Sequence, residues 1–134
     1  MRTADVLLPL SMLVSGCSLR SDVRAVTLKV AHFHALLNAG KVDQIAAEAP
    51  GLKWPARGPR FTDYLAAIHR KLGFCGQWEM LGFHENFGAG ATAKLETRTH
   101  CDRDDAIENF VFSGRGADLR LQQYQITSRL LVTS

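Results

Sequence analysis

The sequence predicts an α+β domain in which three helices precede four antiparallel β-strands. Two observations favour this fold class. Up to residue 72, apolar residues recur at intervals of three and four, which is the periodicity of helices that bury one face. From Phe74 onward the period falls to two, and turn-forming residues recur around positions 86–90, 101–105 and 113–116, as expected for strands joined by hairpins.

The first helix is predicted over residues 23–37 and ends at Gly40. One apolar stripe along it should cover the sheet: Val23, Val26, Val30, Phe33 and Leu37. His32 falls off this stripe and His34 lies at its edge, so we interpret both as flanking residues. Because residues two apart on a helix point in different directions, these histidines cannot hold a metal together.

Two further helices are predicted before the sheet. The second covers residues 42–49 and ends at Pro50 and Gly51, because proline cannot continue a helix. The third covers residues 60–72, ends at Gly73 and buries one apolar face: Phe61, Leu65, Ile68 and Leu72.

The first hairpin sets the predicted register of the sheet. If its turn is centred on Gly88, Cys75 faces Cys101 near bonding distance. The same register pairs Glu79 with Thr97, Leu81 with Leu95, and Phe83 with Ala93. Carried through the later turns, it gives one face that is apolar at one end and polar at the cysteine end, the polar residues being Gln77, Glu79, Thr97, Thr99, Glu108 and Gln123. We expect a pocket that opens at this polar end. The alternative is that the helices simply stop there and solvent begins.

The opposite face of the sheet combines an apolar strip with mixed charges, and its predicted members are Phe74, Trp78, Met80, Lys94, Arg98, His100, Ile107 and Val111. Exposed apolar strips on open sheets are typical of interfaces, so we expect a homodimer or a protein partner here. The alternative is a few scattered exposed hydrophobic residues. Because one residue of register error would exchange the two faces, both assignments depend on the register.

Catalysis is the less favoured alternative for this domain. Glu79 and Glu108 are the candidate acid and base, but strand spacing places them about 10 Å or more apart, which is wide for one small substrate. The cysteines and histidines lack the close pairs that zinc sites use, and the glycines at 88–90 lie in a hairpin rather than before a helix. We therefore expect no metal and no cofactor.

The size and charge of the chain indicate a single domain. Of its 134 residues, 46% are hydrophobic and 22% charged, which is enough for one core. The formal net charge of +3 comes from dispersed basic residues, so we expect no nucleic-acid partner.

The N-terminal residues resemble the signal peptide of bacterial lipoproteins. Arg2, an apolar run over residues 6–14 and the segment LVSGC at 13–17 match its charged start, apolar centre and lipobox. This resemblance implies cleavage between Gly16 and Cys17, with a lipid on Cys17 that anchors the chain to the membrane. Ser18 resembles the pattern sorted to the outer membrane. The alternative is an ordinary signal peptide with a chance cysteine.

The lipoprotein resemblance implies a signal peptide at 1–16, a lipidated tether at 17–21 and a domain at 22–134. The domain would face the periplasm in the cell envelope. Because that space is oxidising, we expect a disulfide between Cys75 and Cys101. The alternative is two free thiols.

Residues 33–128 resemble small bacterial envelope proteins of the NTF2-like superfamily that have no assigned function. The segments that carry the resemblance are FHALLNAG (33–40), LGF (81–83) with GAG (88–90), AIENFVF (106–112) and YQITS (124–128). It implies a cone in which three helices pack on a curved four-stranded sheet, and a role in binding a ligand or partner. Ketosteroid isomerase-like and dehydratase-like relatives use Tyr, Asp and His groups inside the cone. No such set can be matched here residue by residue.

Overall fold

The computed structural model describes residues 14–86 and 90–132, with side chains described for 22–86 and 90–131. Its helices are α1 (Val14–Asn38), α2 (Val42–Ala47), α3 (Phe61–Leu72) and the short α4 (Arg129–Val132). Its strands are β1 (Cys75–Asn86), β2 (Thr92–Cys101), β3 (Asp105–Ser113) and β4 (Arg120–Thr127), with a 3-10 turn at Gly116–Asp118. The predicted α+β class is confirmed.

The N-terminal predictions concern a region that is only partly described. Residues 1–13 of the expected signal peptide lie outside the described residues. The backbone from Val14 onward is helical, so residues 17–21, expected to form a tether, belong to α1. The side chain of Cys17, the expected lipid attachment site beside Gly16, is not among those described.

Helix α1 begins earlier than the sequence indicates and ends where it was predicted. Val26, Val30 and Leu37 are buried along its apolar stripe. After Asn38 the chain leaves the helix through Gly40, whose φ of 73° is in the left-handed region. The N–H of Lys41 then donates to the carbonyl of Leu36 at 2.9 Å, a hydrogen bond typical of glycine-terminated helices.

The four strands form one antiparallel sheet in the order β1-β2-β3-β4. Inner-facing side chains alternate along β2, β3 and β4 and pack against α1 and α3. The centre of this core consists of Val30, Leu37, Leu65, Ile68, Leu72, Leu95 and Phe110, all nearly or fully buried. The other face of the sheet carries no helix in the described part of the chain.

The predicted register of the first hairpin is correct only at its open end. Cys75 pairs with Cys101, but irregularities between Cys75 and Trp78 and between Met80 and Gly82 each shift the pairing by one residue. The numbers of paired residues sum to 176 at Cys75, 177 at Trp78 and 178 from Gly82 onward. The three other predicted pairs are therefore wrong, and the observed pairs are Glu79 with Arg98, Met80 with Thr97, and Phe83 with Leu95.

The same shifts correct the predicted outer face. Trp78 and Met80 pair with Thr99 and Thr97, which are fully buried, so both lie on the helix-covered side of the sheet. In contrast, Lys94 pairs with Val111 and Arg98 with Ile107, which places these four residues on the outer face as predicted.

The disulfide between Cys75 and Cys101 is present and closes the open end of the hairpin. Asn38, the last residue of α1, holds the same corner. Its Nδ2 donates to the carbonyl of Cys75 at 2.7 Å, and its Oδ1 accepts the N–H of Cys75 at 2.9 Å. The end of α1 and the start of β1 are thus joined by two hydrogen bonds beside the covalent link.

Candidate functional site

A buried polar cluster lies where α1 crosses the middle of the sheet. Its centre is Glu108 on β3, which is 1% exposed because it alternates inward with Ala106 and Phe110. The neighbouring strands and α1 supply the other members of the cluster: Thr97 and Thr99 from β2, Tyr124 from β4 and His34 from α1.

Glu108 accepts three hydrogen bonds within this cluster. Its Oε1 lies 2.7 Å from Nε2 of His34 and 2.5 Å from Oγ1 of Thr99. Its Oε2 accepts the hydroxyl of Tyr124 at 2.6 Å. Both carboxylate oxygens are therefore satisfied although the group is out of contact with water.

These contacts determine the direction of each hydrogen bond. Because Thr99 donates its single proton to Glu108, the 3.0 Å contact between Thr97 and Thr99 has Thr97 as donor. His34 must carry a proton on Nε2, because an ionised carboxylate can only accept.

The electrostatics of the cluster favour this assignment. Burial raises the pKa of Glu108, but the hydrogen bonds from His34, Thr99 and Tyr124 together lower it by more, so its pKa lies below the ordinary value. Burial, reinforced by the Glu108 charge and hydrogen bond, holds the pKa of Tyr124 well above its usual range. At neutral pH the carboxylate is ionised and the phenol protonated.

The second nitrogen of His34 is the exception in this cluster. Nδ1 is buried and has no hydrogen-bond partner among the described residues. His34 also lines an open cleft between α1 and the start of β1. The other lining residues are Ala31, Ala35, Asn38, Ala39, Phe74, Cys75, Gly76 and Trp78. Phe74 at the rim is 57% exposed, which is unusual for so large an apolar side chain.

Three of the six predicted pocket residues come together and three do not. Thr97, Thr99 and Glu108 share the buried cluster. Gln77 is exposed within the first irregularity of β1. Gln123 is exposed opposite Val111, because an irregularity between Val111 and Phe112 changes which residues of β4 point inward. Tyr124 takes the inner position instead.

The predicted acid-base pair of Glu79 and Glu108 does not form. Glu79 is exposed on the outer face, where its Oε1 lies 3.1 Å from Nε2 of His100. Nδ1 of His100 lies 2.8 Å from Asp105, and the hydrogen bond to Asp105, followed by that to Glu79, raises the pKa of His100 above its ordinary value. Glu108 is on the opposite face, so the two glutamates cannot act on one substrate.

Sequence reasoning missed His34 and Tyr124 as members of the site. A signal for His34 was present, since Val30, His34 and Leu37 follow the same steps of four and three as the buried stripe. A polar residue on a buried stripe needs a buried partner, and Glu108 at an inward position of β3 is that partner. Tyr124 could not be found because its orientation depends on the irregularity in the β3–β4 pairing.

Within the described side chains, no three His, Cys, Asp or Glu residues are grouped so that they could hold a metal ion. None of the helices in the described segments is long and apolar enough to cross a membrane. Comparison with protein-family models, curated proteins and solved structures finds no match to this chain.

Proposed function

We propose that this protein is a lipid-anchored domain of the bacterial cell envelope, that it has the NTF2-like fold, and that it binds a ligand or a partner rather than catalysing a reaction. The observation that supports a location in the cell envelope is the disulfide between Cys75 and Cys101. Disulfides persist in oxidising spaces such as the periplasm, and the LVSGC segment at 13–17 provides a route to that space.

The arrangement of layers supports the NTF2-like assignment. Three helices precede the sheet, and the strands follow in an uninterrupted antiparallel order with β1 directly after α3. Helices α1 and α3 pack on one face, so the other is available to a second molecule. Ile107 and Val111, partly exposed there, support the proposed homodimer or partner surface.

The state of Glu108 supports a binding role over a catalytic one. A general acid needs a carboxyl group that is protonated near neutral pH, whereas the pKa of Glu108 lies below its ordinary value. Its three hydrogen-bond donors hold the carboxylate in one orientation. Such a group organises the interior of the domain and positions His34 beside the cleft.

Metabolic labelling with a radioactive or alkyne-bearing fatty acid tests the anchor. We expect label on the wild-type chain and none on Cys17→Ser. A variant with Cys75→Ala and Cys101→Ala is the matched control, because it also removes cysteines but leaves the proposed attachment site, and it should be labelled. Equal labelling of wild type and Cys17→Ser would refute the lipoprotein assignment.

A further inference from the structure

We infer that the cleft between α1 and β1 binds a small, uncharged molecule consisting of an aromatic ring with a hydroxyl group, and that the hydroxyl donates a hydrogen bond to Nδ1 of His34. This inference rests on the binding role proposed above and assigns that role a site and a ligand class. The observation behind it is the coincidence of a buried unpartnered nitrogen with an open apolar cleft.

The chemistry of His34 determines what the ligand must offer. Its Nε2 carries the proton that is donated to Glu108, so in the neutral form of the ring Nδ1 has a lone pair that can accept a hydrogen bond. Buried polar atoms in folded proteins nearly always have a hydrogen-bond partner. A ligand hydroxyl supplies the donor that the described residues do not.

The lining of the cleft determines the rest of the ligand. Ala31 and Ala35 on α1, and Ala39 directly after it, recur every four residues, and their small side chains leave the cleft beside His34 open. The β1 side contributes the rings of Phe74 and Trp78, which favour a flat apolar partner. No Asp, Glu, Lys or Arg is among the described residues that line the cleft, which favours an uncharged ligand.

The site is also held in place before any ligand binds. Thr99 and Tyr124 fix the carboxylate that orients His34. Asn38 binds both backbone groups of Cys75, and the disulfide fixes the start of β1. A preorganised site loses less conformational freedom on binding, which favours even a small ligand.

The test compares two similar ligands of which only one has a hydrogen-bond donor. We would titrate the purified protein, with its disulfide intact, with p-cresol and with its methyl ether, 4-methylanisole, and follow the nitrogen NMR signals of His34 and Trp78. We expect p-cresol to shift both signals and to bind about tenfold more tightly than the ether, which is the usual net effect of one hydrogen bond. Equal affinities, or no p-cresol binding up to its solubility limit, would overturn the inference.

A variant that fills the cleft separates this site from binding elsewhere. Ala35→Phe places a ring in the cleft from an exposed position and leaves the Glu108 cluster intact, so p-cresol binding should be lost. Leu28→Phe adds a ring at another exposed position of α1, outside the cleft, and should bind as wild type. Retained binding in Ala35→Phe would refute the site. Fatty-acid labelling of Cys17 is independent of both results, so a failed anchor and a failed cleft can be told apart.

Discussion

Nε2 of His34 lies 2.7 Å from Oε1 of Glu108, although 74 positions separate the two residues in the chain. Both side chains are almost fully buried, so this contact is a polar link between the helical layer and the interior of the sheet. A buried hydrogen bond of this kind is satisfied in only one orientation of the helix, because rotation or sliding of α1 would leave the carboxylate without a donor.

The two glutamates considered as catalytic groups should differ greatly in their effect on stability. Glu108→Gln replaces an acceptor of three hydrogen bonds by an amide that cannot satisfy all three donors. We expect it to lower the free energy of unfolding by about 3 kcal/mol. Glu79→Gln, the matched control, alters an exposed pair with His100 and should change stability little. Urea denaturation measures both; similar losses would contradict the assigned role of Glu108.

The low pKa of Glu108 predicts loss of stability in acid. Because its pKa is lower in the folded protein than the ordinary value of 4.5, the unfolded chain binds the proton more readily. The stabilisation is complete above the ordinary pKa and disappears as the pH falls through the folded pKa. Urea denaturation between neutral pH and about pH 3 should show this decline, and Glu108→Gln should reduce its slope. Other carboxylates with lowered pKa, such as Asp104, keep contributing in both proteins.

Removal of the disulfide should destabilise the fold without changing it. The bond closes a loop with a sequence separation of 26 residues, for which chain entropy predicts about 3 kcal/mol. We expect this loss in the double variant Cys75→Ala and Cys101→Ala, measured by denaturation against the oxidised wild type. A reducing agent should lower the stability of the wild type and leave the double variant unaffected. An unchanged midpoint in the double variant would contradict this account.

Two glycines that end helices provide a matched pair of substitutions. Gly73 has φ 76° and ψ −149°, a conformation that essentially only glycine adopts, and an added Cβ would lie 3.0 Å from the Asp102 side chain. Gly40 also has a positive φ, of 73°, but a Cβ there would meet nothing within 4 Å. We expect Gly73→Ala to cost about 2 to 3 kcal/mol and Gly40→Ala about 1 kcal/mol in thermal or urea unfolding. A larger loss of stability in Gly40→Ala than in Gly73→Ala would show that the contact with Asp102 does not determine the cost of the substitution.

The pKa of His100 tests the contacts between polar side chains on the outer face of the sheet. Its pKa is raised first by the hydrogen bond to Asp105 and then by that to Glu79, so its NMR titration midpoint should lie above the ordinary 6.5. Asp105→Asn should move the midpoint toward that value by more than Glu79→Gln does. If neither substitution changes the midpoint, the three side chains do not interact in solution.

The elements of the fold could be predicted because each depends on local periodicity. The stripe on α1 and the stop at Gly40 are both properties of neighbouring residues, and the structure confirms them. The disulfide could also be predicted. Cys75 and Cys101 pair at the open end of the hairpin, where the register expected from a symmetric turn agrees with the observed one.

The rest of the site depends on places where the strands are irregular. Each irregularity in β1 adds a residue that has no opposite partner, and Gly76 and Gly82 beside them permit the altered backbone. The sequence shows these glycines but not whether the strand is interrupted at them. As a result, Glu79 was assigned to the interior and Trp78 to the exterior, the reverse of their positions. To assign His34 to the site from the sequence, its partner Glu108 would have to be known, and that partner lies 74 positions away.

The irregular path of β1 bears on self-association, since β1 lies at an edge of the sheet. A straight edge strand offers an even row of amide and carbonyl groups to which a foreign strand can add, the first step toward fibrous aggregates. Here two interruptions break the spacing of that row, and Asn38 already occupies both groups of Cys75. The irregularities that made the predicted pairing wrong therefore also make this border of the sheet a poor template for fibril growth.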